Sequence, residues 1–108
     1  MIDQGIASSI EKRTENRSQD EKLAIWNSLK SQFSEGDKLV GQIFVKAPYG
    51  VHLDVGLAFP ALLEIIQMPG LVYDEYVKDK VYCLGDKICV TFVCLNETSN
   101  EICVVEGI

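Results

Sequence analysis

Alternation of apolar and polar side chains begins at Lys38 and recurs to the end of the chain. In Lys38–Ala47, Leu39, Ile43 and Val45 take one phase, while Gln42, Phe44 and Lys46 take the other. This is the period-two signature of a half-buried strand. Gly41 falls on the inward phase, where a missing side chain permits tight coiling. Pro48-Tyr49-Gly50 is a turn. Val51, Leu53 and Val55 then face inward, with His52 and Asp54 outward. After the bent connection Gly56–Pro60, a short third strand follows at Ala61–Ile65. The stretch Ile66–Leu84 carries Pro69-Gly70 and the pair Tyr73 and Tyr76, which predicts a long connection with a helical turn. A fourth strand, Lys87–Leu95, has Ile88, Val90 and Phe92 inward and Cys89 and Thr91 outward. The polar turn Asn96–Asn100 leads to a fifth, Glu101–Val105. Gly-Asp-Lys opens the first strand at Gly36 and the fourth at Gly85. The expected fold is all-β, a closed five-stranded barrel with an added N-terminal helix.

Upstream, Ser18 with Glu21 three residues on is a capping-box pattern. Leu23, Ile25, Trp26, Leu29 and Phe33 form a broad apolar stripe along Ser18–Phe33. Such a helix must dock, and Trp26 is its expected anchor on the barrel. Met1–Arg17 is polar, with Ile2, Ile6 and Ile10 spaced by four and little else to bury. That composition is expected to leave it partly disordered, the alternative being a frayed helix. The division is thus residues 1–17, a docked helix at 18–34 and a barrel domain at 35–108.

The 108 residues are enough for one domain with a core. The apolar run Val55–Leu63 falls far short of the roughly 20 residues of a spanning helix. The N-terminal stretch lacks the apolar centre of a signal peptide and the basic bias of a transit peptide. A cytoplasmic protein with no membrane association is expected. Cys83, Cys89, Cys94 and Cys103 lack zinc-knuckle spacing, and the single His52 does not complete a ligand set. They are expected to be buried or partly buried thiols. No metal or small-molecule cofactor is expected. A catalytic arrangement would have to be built around His52, and neither a nucleophile with a signature turn nor a glycine-rich phosphate loop is present. A non-enzyme is expected.

The net charge is −6, and from Gly36 onward five lysines and no arginine stand against ten carboxylates. Phosphate binding ordinarily requires the opposite balance. An acidic surface suits a basic protein partner better.

The order of the motifs resembles the S1 RNA-binding domain, an OB-fold barrel named for its repeats in a ribosomal protein. The matching text is GDKLVGQI (Gly36–Ile43), YGVHLDVG (Tyr49–Gly56), ALLEII (Ala61–Ile66) and GDKICVTFV (Gly85–Val93), about two-thirds of the chain. The resemblance implies a single-stranded RNA face using the aromatic before the turn glycine, here Tyr49, and a second flat ring, here His52. At the position of the family's third-strand histidine stands Glu64, a carboxylate that would repel phosphate. Ile66 stands where that motif ends in serine, and Cys89 and Thr91 replace basic residues. From the residues themselves, Phe44 on the outward phase and Lys46 near the turn complete the candidate nucleic-acid-binding set Tyr49, His52, Phe44 and Lys46. Weak single-stranded RNA binding is expected, the alternative being an acidic adaptor or inhibitor-type module that recognises a basic protein.

Overall fold

β-branched and aromatic residues at alternate positions form five strands: β1 (Lys38–Ala47), β2 (Gly50–Asp54), β3 (Ala61–Glu64), β4 (Lys87–Asn96) and β5 (Glu101–Glu106). The computed structural model describes residues 1–106; residues 107 and 108, which the sequence reading includes in the barrel domain, lie outside the described residues. The strands close into a barrel in the order β1-β2-β3-β5-β4, with β3 and β5 parallel through Ala61↔Ile102 and Leu62↔Cys103. Ile43, Val51, Leu53, Ala61, Leu63, Val90 and Ile102 fill the interior and are almost wholly buried. Each of the larger ones contributes roughly 1.5–3 kcal/mol relative to exposure.

The repeated Gly-Asp-Lys motif is one turn used twice. The Asp37 carboxylate accepts from the Ser34 N–H, and the Asp86 carboxylate accepts from the Cys83 N–H, both at 2.9 Å. The backbone N–H of each aspartate returns to the carbonyl of the same residue, Ser34 or Cys83. Gly36 and Gly85 sit at φ +99° and +90°, a region that side chains resist. Each turn then bonds across to the strand the other one opens. Gly36 N–H donates to the Phe92 carbonyl and Gly85 N–H to the Ile43 carbonyl. The two openers staple β1 and β4 together from opposite ends.

Two helices close the barrel ends. Helix α2 (Gln19–Gln32) starts at Ser18 with the full capping box. Trp26 meets Phe59 edge-on at 5.0 Å between centroids, and Phe33 stacks on Phe92 at 5.8 Å. The docking stripe is narrower than expected. Trp26 and Leu29 are buried, whereas Leu23 is exposed. At the opposite end lies α3 (Tyr73–Val77), whose Tyr76 is buried and donates its hydroxyl to the Ala47 carbonyl at 2.5 Å and to that of Gly50 at 2.9 Å. Burial pushes the Tyr76 phenol up to about 12. Tyr73 stays half-exposed, so only one of the two tyrosines caps the barrel.

Three expectations are corrected here. A β-bulge between Ile43 and Val45 shifts the phase of β1, so that Lys46 rather than Val45 pairs with inward-facing Val51. Met1–Arg17, expected to be partly disordered with a frayed helix as the alternative, contains helix α1 (Gln4–Lys12), capped by the Asp3 carboxylate on the Ile6 N–H. Three contacts hold it that the local pattern does not reveal: the Ile2↔Val45 bridge, burial of Ile10, and an Arg13–Asp54 ion pair. Cys83 and Cys103 are partly buried as expected, but Cys89 and Cys94 are exposed on the outside of β4.

Added Cβ atoms at Gly36 and Gly85 would meet nothing within 4 Å, which leaves backbone strain as the cost of substitution. Gly36→Ala and Gly85→Ala are each expected to lower unfolding free energy by roughly 1–2 kcal/mol, and by similar amounts, in urea denaturation.

Candidate nucleic-acid interface

The β1–β2 turn places Tyr49 at the barrel rim, about half-exposed. His52, three residues on, lies on the outer face of β2 with its ring held from both sides. Its Nδ1 is 2.6 Å from Oε2 of Glu101, and its Nε2 is 2.6 Å from the Tyr49 hydroxyl. A carboxylate can only accept from an imidazole N–H, so Nδ1 carries hydrogen. The two rings meet edge-on at 5.7 Å, and Phe44 lies 6.4 Å from His52 on the far side. Phe44, His52 and Tyr49 therefore form one aromatic row across β1 and β2.

Three of the four expected site residues are brought together, and one is not. Lys46 is turned inward by the bulge, and its Nζ donates to the Val81 carbonyl at 2.8 Å, pairs with Asp79 at 3.0 Å, and sits 4.4 Å from the Tyr76 ring centre. With its side chain only 5% exposed, it seals the α3 end of the barrel instead of facing phosphate. Phe44 belongs to the row but is buried, at 8% exposure, with the N-terminal segment bonded along its strand. Tyr49 and part of His52 are what the row presents to solvent.

Two residues of this face carry no local sequence signal. Glu101 reaches His52 because β2, β3 and β5 are neighbours, with His52↔Leu62 and Leu62↔Cys103 in register. Arg13 arrives from the other side of the chain: its guanidinium donates to Asp54 Oδ1 at 2.6 Å, to Oδ2 at 3.1 Å and to the Leu57 carbonyl at 2.8 Å. Hydrogen bonding from Arg13, helped by the Gly56 N–H, holds the Asp54 carboxyl below its ordinary value against the opposing effect of burial.

The local field is acidic. Glu64 is exposed on β3, at the position that pairs with Gly50 beside Tyr49. Elsewhere Arg17 pairs with Glu21, Lys30 with Glu97 and Lys78 with Asp74. With Arg13 and Lys46, five of the ten basic residues are engaged by carboxylates among the described residues. No group of three or more His, Cys, Asp or Glu side chains suited to a metal ion occurs among the described residues. No helix among them is long and apolar enough to cross a membrane.

No family model matches this sequence, and no curated protein matches it significantly. The fold, by contrast, has clear counterparts among solved structures, and it is the S1-like OB barrel. MJ1198 of Methanocaldococcus jannaschii aligns with a TM-score of 0.56 at 19% identity, over 69% of this chain and 93% of that one. GSP13 of Bacillus subtilis gives 0.56 at 20%, over 68% and 55% of the two chains. RNase R of Mycoplasma genitalium, solved with ribose-methylated single-stranded RNA, gives 0.60 at 17%, over 76% of this chain but only 14% of that enzyme. At identities this low, the structural likeness shows the fold alone.

A lowered carboxyl pKa stabilises the fold above the unfolded-state value and loses that contribution as pH falls through the folded one. Arg13→Ala is expected to cost roughly 0.5–1.5 kcal/mol near neutral pH. The difference from wild type should begin to shrink as pH falls past the ordinary aspartate value, about 4, and level off only below the lowered folded-state value, where the Arg13 bond to the Leu57 carbonyl still remains, when denaturation midpoints are compared across pH.

Proposed function

We propose that this chain is a single-stranded RNA-binding module, not an enzyme, that engages bases by stacking on Tyr49 and His52. The observation that carries this is the geometry at the rim. Tyr49 is half-exposed yet oriented by His52, and His52 is in turn anchored by Glu101. A ring already held in place loses little freedom when a base stacks on it. A structural neighbour that shares this barrel over part of its length, RNase R, is solved in complex with single-stranded RNA, which supports the same reading.

Affinity is low in this reading. Lys46 is committed to the barrel interior, and Glu64 and Glu101 flank the rings. Stacking of roughly 1–3 kcal/mol per base then has little phosphate neutralisation to add to it, which puts binding in the range of about 10⁻⁴–10⁻⁶ M. The internal pairing of half the cations is what favours the second reading, an acidic surface that docks a basic protein.

Fluorescence anisotropy with a labelled oligouridylate, titrated at low and moderate salt, separates the two. Tyr49→Ala is expected to weaken binding roughly 5- to 100-fold, the equivalent of one lost stacking partner. Glu64→Lys should strengthen it and steepen its salt dependence. Absence of binding by wild type and Glu64→Lys alike at low salt would overturn the RNA reading and leave the protein-docking one.

A further inference from the structure

Helix α1 and the residues before it lie on the aromatic row and are held to it by few contacts. Asp3 N–H donates to the Phe44 carbonyl at 2.7 Å, and Lys46 N–H donates to the Met1 carbonyl at 2.8 Å. The Met1 amine returns to the Lys46 carbonyl at 3.0 Å. These bonds, with the Ile2↔Val45 bridge, make Met1–Asp3 a short extra strand on β1. Helix α1 follows and packs on β1. Arg13 then fastens the far end of the segment to Asp54 on β2, two residues from His52.

We propose that Met1–Arg13 is a releasable strap that competes with single-stranded RNA for the β1–β2 face, with Arg13–Asp54 as its latch. The proposal rests on the RNA reading above and extends it to regulation of the same site. Three observations support release short of unfolding. The helix has nine residues, too few to be stable alone in water. Ile10 is its one buried side chain, and neither Ile10 nor Phe44 belongs to the hydrophobic cluster that fills the barrel. The latch is partly solvated, with the Arg13 side chain 31% exposed. Segments held by so little buried surface open at a lower free energy than the closed sheet beneath them. Opening would bare Phe44 next to His52 and turn a two-ring platform into a three-ring one. It would also free the strand edge at Phe44 and Lys46.

The test uses the 108-residue chain with Arg13→Ala and Asp54→Asn combined, which removes the latch without changing net charge and keeps an acceptor for the Gly56 N–H. Amide exchange in α1, at Asp3 and at Lys46 is expected to run about tenfold faster in this variant, while β4 and β5 amides speed up by no more than that factor and stay far better protected than α1, and so report an intact barrel. Oligouridylate should bind it more tightly by a similar factor, because apparent affinity scales with the open population. Adding the oligomer to wild type should speed α1 exchange. The strap proposal is overturned, and the RNA reading kept, if RNA binds wild type but protects α1, if α1 exchange does not respond to the double substitution, or if faster exchange brings no tighter binding. Failure of both proteins to bind RNA at low salt, with α1 exchange accelerated, overturns the RNA reading and the competition with it.

Discussion

The barrel closes only because β1 pairs with β2 along one edge and with β4 along the other, and a third segment completes the β4 edge. Residues Lys38–Gln42 pair with β4, and Gln42–Ala47 pair with β2 on the other side. Between them the strand must turn sharply. Gly41 permits this where a Cβ would lie 2.9 Å from the Cβ of Leu53, and the bulge after Ile43 completes the bend. Past Gln42, β4 has left the edge, and open backbone groups there are costly when covered without partners. Ile43 is satisfied by Gly85 and Asp86, and Phe44 and Lys46 are satisfied by Met1 and Asp3. The docking of the N-terminus therefore answers a need created by closure itself.

The same bulge decides the electrostatics of the face. It carries Lys46 from the outer surface, where strict alternation puts it, to the α3 end of the core. A buried ammonium is tolerable only with its donors engaged, and here a carbonyl, a carboxylate and an aromatic face surround it. One residue of slippage thus converts a candidate phosphate contact into a structural cap, and it leaves the aromatic row without a cation of its own. Arg13 reaches the edge of the row, but both of its Asp54 contacts are made by the guanidinium that would otherwise face a phosphate.

Much of the architecture was legible in the sequence because it is written in local periods. Strand positions, the capping box at Ser18 and the paired Gly-Asp-Lys turns each depend on residues within a few positions of one another. The misplaced features all depend on distant partners. A bulge adds one residue and leaves no compositional mark, so Val45 and Lys46 were assigned to the wrong phases. The order of residues 1–17 comes from contacts 41 to 45 residues away, which no helical stripe announces. On the face itself, Tyr49 and His52 were legible as a turn aromatic and an outward ring. Glu101 was not, because its approach to His52 passes across an intervening strand.

What remains outside the strap is a platform whose orientation is set by hydrogen bonds and whose neighbourhood is set by carboxylates. These two properties select differently among ligands. Oriented rings favour any flat group that can stack, largely independent of salt, whereas Glu64 and Glu101 penalise whatever brings phosphates close and reward whatever brings cations. A single-stranded chain can satisfy both only by presenting a base to Tyr49 while its backbone passes away from β3 and β5. The side left to it is β1, the strand covered by Met1–Asp3 and α1. In the proposed RNA reading, the charge pattern and the position of the proposed strap thus converge on the same path across the barrel.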